Sequence, residues 1–368
     1  MLKATNNERM RRTNRQLILS IIQKEPVSRS EIAEKTGLTR ASVTIITEEL
    51  IREGLVREER AQGRGVGRHP VSLAICGDAL YFGGISVHRQ WLEVGVIDLA
   101  GHIVTQHRLE VCNGEPKAML LEACRLLQTQ PLPLHSVGIS APGPLDHHTG
   151  EILTPPNFAN WHHLPVMKIV QDAADCPIII EQDVNAMALE EMYFSSTGNL
   201  KSFCILLVDS GVGFSAVADG LLLRGANGRG FELGHTALVL DGLPCSCGNR
   251  GCLERYLSVD ALLLDSPFVS WAEMMDKYEI SAQAHEVIER AASYLAWAIV
   301  NMVNLLGIET FFLRGDITYK GQALCEMVNK KIAGRIMNGN RPVVGESVLR
   351  RSSRTGAMAA VDRFFRCG

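Results

Sequence analysis

No apolar run in this chain of 368 residues approaches the roughly 20 residues that a helix needs to cross a bilayer, which excludes a spanning helix. The basic opening MLKATNNERMRRTNR has no small-residue cleavage pattern after it, and the apolar stretch that follows, QLILSII, is only seven residues long. We therefore read no signal peptide and expect a cytoplasmic protein without membrane insertion. A disulfide framework is missing too. Three of the ten cysteines fall within CSCGNRGC, and the others (Cys76, Cys112, Cys124, Cys176, Cys204, Cys325 and Cys367) stand singly, as reduced core thiols plus one metal cluster would. Nor is the composition that of a disordered chain, since 46% of residues are apolar and 21% charged. A chain of this length exceeds the usual size of one hydrophobic core, so two or three domains are expected.

The net charge of -3 conceals an asymmetry. Residues 1–70 carry 14 Lys and Arg against 9 Asp and Glu, or +5, and the remainder carries 23 against 31, or -8. A basic head on an acidic body suits a module that approaches phosphates, attached to a self-contained ligand domain.

In the head, Leu17, Ile18, Ile21 and Ile22 recur with helical spacing, and Pro26 stops that helix. Ser28 and Glu31 make the S-x-x-E capping pattern of a second, short helix that Gly37 ends. Thr39 is placed to cap a third, RASVTIITEELIREG, whose Val43, Ile46 and Leu50 face inward and leave Arg40, Ala41 and Thr44 outward, with Ser42 at the margin. Short outward side chains admit base edges, and one long basic donor stands among them, as in a helix-turn-helix. Beyond Gly54, LVREERAQGRGVGRHPVSLAI reads as two strands around a Gly- and Arg-rich wing, whose Arg64, Arg68 and His69 can reach phosphate or the minor groove. We assign Arg29, Thr39, Arg40, Ala41, Ser42, Thr44, Arg64 and Arg68 to double-stranded operator DNA, and residues 1–74 to this domain. The same pattern would also suit a three-helix adaptor that meets only protein.

The body begins with ALYFGGISV and WLEVGVIDLAGHIVTQHRLEV, strand-like and joined by turns, then a Leu- and Ala-rich helix and the strand HSVGISAPG. This order implies an α/β domain with a mixed sheet. A second start, SFCILLVDSGVGFSAVADGLLLRG, repeats the plan and hints at two related halves across a cleft.

The sharpest chemistry lies in GHTALVLDGLPCSCGNRGCLE. His235, Cys245, Cys247 and Cys252 place one imidazole and three thiols within 18 residues, with glycines that permit tight wrapping. A closed set of four N and S donors suits structural zinc and leaves no open position for water; catalytic zinc and unmetallated thiols are the alternatives. A metal there would hold Glu232 and Glu254 firmly enough to contact a polar ligand. Asp183 follows the buried strand PIIIEQ and precedes a helix, where it can take a hydroxyl proton, accept a hydrogen bond, or simply cap the helix. The rigid loop TPPNFANWHH offers Asn157 as an amide that orients hydroxyls.

Together these pieces resemble the ROK family, named for repressors, open reading frames and sugar kinases, over nearly the whole chain. GFELGHTALVLDGLPCSCGNRGCLERYLS looks like its signature, and SRSEIAEKTGLTRASVTIITEELIREGLV is similar to the winged helix of its repressor branch. The resemblance implies an α/β body of two lobes with an actin-like, sugar-kinase-like (ribonuclease H-like) fold. Residues 75–192 would form the first lobe, completed by a C-terminal helix at 350–368, and residues 193–349 the second, with the zinc loop. It implies structural zinc on His235, Cys245, Cys247 and Cys252, and a sugar or sugar phosphate on Asn157, Asp183, Glu232, His235 and Glu254. Asp183 matches the kinases' base, and Gln182 replaces their neighbouring asparagine.

The nucleotide side departs from the kinase pattern. Where kinases carry an aspartate-any-glycine-glycine-threonine loop, this chain has Ser86, Val87, His88, Arg89 and Gln90. In DSGVG, Asp209 replaces a glycine, and Phe214 and Ser215 replace the glycines that follow. In FFLRGDI, Arg314 stands where the family prefers the first glycine of a nucleotide-facing pair. Side chains in place of glycine crowd the space that phosphate needs. We therefore expect no ATP cofactor and no catalytic residue, but a dimeric or tetrameric sugar-sensing repressor of carbohydrate genes. A kinase with an attached DNA-binding domain, or a regulator controlled by a transport-system protein, is the alternative.

Overall fold

The computed structural model describes residues 7–60, 71–110, 115–156, 158–195, 200–228, 230–264 and 266–367; Arg64, Arg68, His69 and Asn157 lie outside them. The head opens with α1 (Asn7–Lys24) and a short strand β1 (Val27–Ser28), followed by α2 (Arg29–Thr36) and α3 (Arg40–Arg52). Strands β2 (Val56–Arg60) and β3 (Val71–Ile75) complete a three-stranded sheet in the order β1-β3-β2. Local signals set the helix ends. The Ser28 hydroxyl accepts from the Glu31 amide while the Glu31 carboxylate accepts from the Ser28 amide, Gly37 ends α2 in the left-handed region, and the Thr39 hydroxyl accepts from the Ser42 amide. The buried face of α1 differs from the sequence expectation. Ile18, Leu19 and Ile22 are buried and Leu17 is 41% exposed, because 18, 19 and 22 share one side of a 3.6-residue turn and 17 falls off it.

The body holds two five-stranded sheets of the same plan. The first contains β4 (Tyr81–Val87), β5 (Trp91–Asp98), β6 (Ile103–Glu110), β7 (Leu134–Ala141) after α4 (Pro116–Gln128), and β10 (Ile178–Gln182). A small hairpin of β8 (Leu145–Asp146) and β9 (Glu151–Ile152), then α5 (Val166–Ala173), lie between the last two. The order is β10-β7-β4-β5-β6, with β4, β7 and β10 parallel and β5 and β6 antiparallel. Helix α6 (Asp183–Phe194) follows at once.

The second sheet runs β11 (Phe203–Val208), β12 (Val212–Ala218), β13 (Leu221–Leu223), then β14 (Thr310–Arg314) and β15 (Val343–Glu346). Between its third and fourth strands come the cysteine loop and α7 (Glu254–Leu257), α8 (Val259–Leu263), α9 (Trp271–Asp276) and the long α10 (Ala282–Leu306), and α11 (Gly321–Ile332) precedes the last strand. Its order, β13-β12-β11-β14-β15, repeats the first sheet strand for strand, so the internal similarity of sequence is a similarity of topology. The chain ends in α12 (Ser353–Cys367), which packs on β4, β7 and β5 of the first sheet. Glycines allow this. A Cβ on Gly84 would stand 1.9 Å from the Ser353 carbonyl and one on Gly138 2.5 Å from that of Gly356. Helix α6 is buried nearly all round, between α12 and the second sheet. One continuous core joins α1, α6, α12 and the face of β11 turned to α6.

Candidate functional site

In the head, Arg40 and Ala41 are exposed at the start of α3, with Ser42 and Thr44 half-buried beside them. The hydroxyls of Thr39 and Ser42 lie 2.9 Å apart, and Thr44 donates to the Arg40 carbonyl, so the polar groups of this turn are ordered before any partner arrives. Arg29 is placed differently. It donates to the Thr47 hydroxyl at 3.1 Å and pairs with Glu58 of β2 at 2.8 Å, which ties α3 to β2.

The loop after β13 brings His235, Cys245, Cys247 and Cys252 together, with one donor atom of each lying within 4.8 Å of the others. The Cys245 sulfur is 3.6 Å from His235 Nδ1 and the Cys247 and Cys252 sulfurs are 3.7 Å apart. Zinc held tetrahedrally, with Zn–S of ~2.3 Å and Zn–N of ~2.0–2.1 Å, requires S to S near 3.8 Å and S to N near 3.6 Å by simple trigonometry. The donor set therefore fits a metal ion. With Nδ1 turned to the sulfurs, Nε2 of His235 is left for the cavity beyond.

That cavity has a volume of about 1020 Å³ and lies between the sheets, with Gly143, Thr154, Gln182, Glu232, His235 and Glu254 on its wall. Three of the residues expected to meet a sugar, Glu232, His235 and Glu254, are thus brought together. Glu232 follows Phe231, whose left-handed backbone (φ 67) is rare for a bulky residue and turns the chain into the site. Burial raises the Glu232 carboxyl above its usual range, only partly offset by His235 and by a hydrogen bond with Gln182. Glu254 begins α7 two residues after Cys252, and its carboxylate accepts from the Val212 amide at 3.0 Å. Gln182 lies against the loop after β7, where a Cβ on Gly143 would come within 2.3 Å of its Nε2.

Asp183 stands next to wall residue Gln182, as the first residue of α6 and not its cap. Its Oδ1 accepts from the Val184 amide at 2.7 Å, and its Oδ2 pairs at 2.9 Å with Arg351. Sequence reasoning missed Arg351. The only signal was a basic run, Arg350, Arg351 and Arg354, before the last helix, and such runs usually read as a solvated face.

Residues 82–362, more than half of the chain, match the ROK family, and residues 10–57 match a winged helix-turn-helix DNA-binding family. The chain belongs to the ROK family. It is 28% identical over 359 residues to a xylose repressor of Caldicellulosiruptor bescii, covering 90% of both chains. Its fold is similar to that of a solved ROK family transcriptional regulator, a homolog of the E. coli MLC protein, with a TM-score of 0.79, 23% identity and 97% of each chain covered. A ROK hexokinase from Thermus thermophilus aligns with a TM-score of 0.67 and 23% identity, over 97% of its own length but 77% of this chain.

At the positions where this chain departs from the ROK kinase pattern, its side chains are engaged with other groups of the chain. His88 stacks on Trp91 with centroids 4.7 Å apart, and the Arg108 guanidinium lies 3.7 Å over the same indole. Burial, with Arg351 and Arg108 close by, pushes the His88 imidazole down to about 2, so it is neutral. Arg89 reaches Asp260 of α8 at 3.1 Å. Asp209 accepts the amide hydrogen of Asp316, a donor in the turn after Gly315 (φ 94). Burial and the Asp316 carboxylate push Asp209 up to about 6. Arg314 needs a correction. Its side chain is buried, donating to Glu190 of α6 at 3.1 Å and to Ser347 at 3.2 Å, so it points into the core between the lobes and not at a nucleotide.

Proposed function

We propose that this ROK protein is a sugar-responsive repressor of carbohydrate-uptake or catabolism genes that binds its sugar without phosphorylating it. One observation carries the reading: a single chain joins a helix with Arg40 and Ala41 exposed to a cleft walled by Glu232 and Glu254, while Asp209, which departs from the kinase pattern, is bonded within the chain. Asp183, Glu232 and Glu254 would accept sugar hydroxyls, His235 Nε2 would bond one more, and Asn157 would complete the set. Zinc on His235, Cys245, Cys247 and Cys252 would supply a structural cross-link that fixes the loop between Glu232 and Glu254. Asp183 has the chemistry of a base, but a base without positioned phosphate and magnesium has nothing to attack.

Two heads of a dimer, with their α3 helices in successive major grooves, would hold an operator of approximate two-fold symmetry. Sugar would favour one setting of the lobes, and its effect on DNA and the effect of DNA on it are equal by linkage. A structural relative that aligns over 97% of this chain is a transcriptional regulator, and a sequence relative at 28% identity is a xylose repressor, which makes xylose the first sugar to try.

The test is selection of genomic fragments on zinc-loaded protein, with and without xylose and a panel of pentoses, hexoses and amino sugars, alongside an ATP-turnover assay on the same panel. A palindromic site released by one sugar, with no ATP consumed, is the expected result. No enriched DNA at moderate salt returns the weight to the adaptor, and sugar-dependent ATP turnover returns it to the kinase. Arg40→Ala should weaken the recovered site by about tenfold or more.

A further inference from the structure

Two helices run from the cleft side of the first lobe to the head: α6 follows the wall residue Gln182 directly, and α12 begins just after Arg351, which contacts the first residue of α6. Helix α6 starts at Asp183 and ends at Phe194, and α12 starts two residues after Arg351 and carries Phe364 and Phe365 near its end. They run in the same direction, because their contacts climb together. Arg351 meets Asp183, the Thr355 hydroxyl donates to Glu190 at 2.9 Å, and the Tyr193 hydroxyl donates to Asp362 at 2.9 Å. At the far ends Tyr193 stacks on Phe365 with centroids 5.2 Å apart, and Gln23 of α1 donates to the Tyr193 carbonyl at 2.8 Å. Ile18, Leu19 and Ile22 of α1 share one core with Val361 and Phe365. The head's first helix thus rests on the ends of two rods whose beginnings are clasped by one ion pair.

Arg351 is the clasp. Its terminal nitrogen donates both to Asp183 Oδ2 and, at 3.1 Å, to the Val87 carbonyl at the end of β4, while its Nε is buried without a partner. The preceding Arg350 reaches the opposite lobe, donating to the Thr318 hydroxyl at 3.0 Å. The two arginines therefore span the lobes immediately before α12 begins. Since Asp183 Oδ1 is engaged by the Val184 amide, Oδ2 is the oxygen a ligand hydroxyl would seek, and Arg351 already holds it.

We propose that Arg351 is a ligand-displaced positioning residue: a sugar hydroxyl that takes Asp183 Oδ2 frees Arg351, unclasps α12 from α6, and shifts the helix ends on which the head rests. This rests on the sugar-binding reading of the cleft given above. It gives Asp183 a use that needs no nucleotide, since the carboxylate exchanges one partner for another.

The experiment takes full-length, zinc-loaded wild type, Arg351→Ala, Arg351→Lys and Asp183→Asn, with the selected operator and with xylose, glucose and N-acetylglucosamine, each free and as its phosphate ester. Operator affinity is read by fluorescence anisotropy and sugar affinity by calorimetry, with zinc content and melting confirming the fold. Arg351→Ala should bind operator about tenfold more weakly without sugar, close to sugar-loaded wild type, and bind sugar about threefold more tightly because its competitor is gone. Arg351→Lys should fall between, and it carries the test if Arg351→Ala does not fold. Asp183→Asn should lose both operator and sugar affinity. Arg351→Ala that weakens sugar and DNA together, or that keeps the full sugar response, overturns the clasp alone. A wild type that answers to none of these sugars overturns the sugar reading and the clasp with it.

Discussion

The two lobes share one strand order but build the turn after their first strand differently. In the second lobe the turn from Val208 to Val212 is built of small groups. A Cβ on Gly211 would come 2.9 Å from Glu254 Oε2, so the bare backbone is what lets that carboxylate reach the Val212 amide. In the first lobe the matching turn, Val87 to Trp91, is closed by the His88 amide on the Trp91 carbonyl, and its side chains are an imidazole laid on an indole and an arginine reaching across to Asp260. One scaffold therefore makes a mount for a cavity-lining acid in one lobe and, under the function proposed above, a plug against nucleotide in the other. The fold alone decides neither outcome, which is why the nucleotide side must be judged residue by residue.

The largest effect should come from breaking the mount. Cys252 is fully buried in the cluster, and Cys252→Ser should bring zinc from about one per chain to near zero and weaken sugar about 100-fold, while the plugged turn is untouched. Elemental analysis and calorimetry decide it, and undiminished sugar affinity in a zinc-free protein would show that the metal does not hold Glu232 and Glu254. Next comes the joint between the lobes. Arg314 compensates Glu190 and faces Glu191, at 3.1 and 3.9 Å, with all three buried. Arg314→Met should cost about 3–5 kcal/mol in denaturant unfolding, since it strands buried carboxylates, though Arg354 and Thr355 still serve Glu190. A loss under about 1 kcal/mol would mean that the pair contributes little over an apolar joint.

What the sequence disclosed follows the reach of its signals. The caps at Ser28, Gly37 and Thr39 act within four residues, and the metal donors lie within 18, so local reading finds them. The ROK signature carried the rest of the cleft. Arg351 was invisible because its partner is 168 residues away, and a basic run gives no hint of which member folds inward. Arg314 was placed at the right strand end but on the wrong face, since pleat direction depends on where Glu190 of α6 comes to lie. Leu17 and Leu19 were confused because both fit a loosely apolar helix, and only packing against α12 and the head sheet selects one.

A smaller effect separates the two turns by pH. Asp209 has a folded pKa of about 6 against an ordinary 3.8, so the folded state holds its proton more tightly than the unfolded one. Its contribution is fully present below the unfolded value and is lost as pH rises through about 6. Asp209→Asn keeps an acceptor for the Asp316 amide and cannot ionise. It should therefore be more stable than wild type by about 1–2 kcal/mol at pH 7.5, with the gain shrinking toward pH 4. A pH-independent gain would assign the benefit to something other than ionisation.

The smallest effect tests whether the plug is also a bolt. Arg89 and Asp260 join the lobes at 3.1 Å, but their side chains are 47% and 53% exposed, and water and salt screen such a pair. Arg89→Ala should change unfolding free energy by no more than about 0.5 kcal/mol, and 0.5 M salt should erase the difference. The turn would then block nucleotide by occupying space, and the lobes would stay free to close on sugar. A salt-sensitive loss well above 1 kcal/mol would instead make Arg89 a restraint on closure, and sugar affinity should then rise in the variant, because a bond that opposes the bound state has been removed.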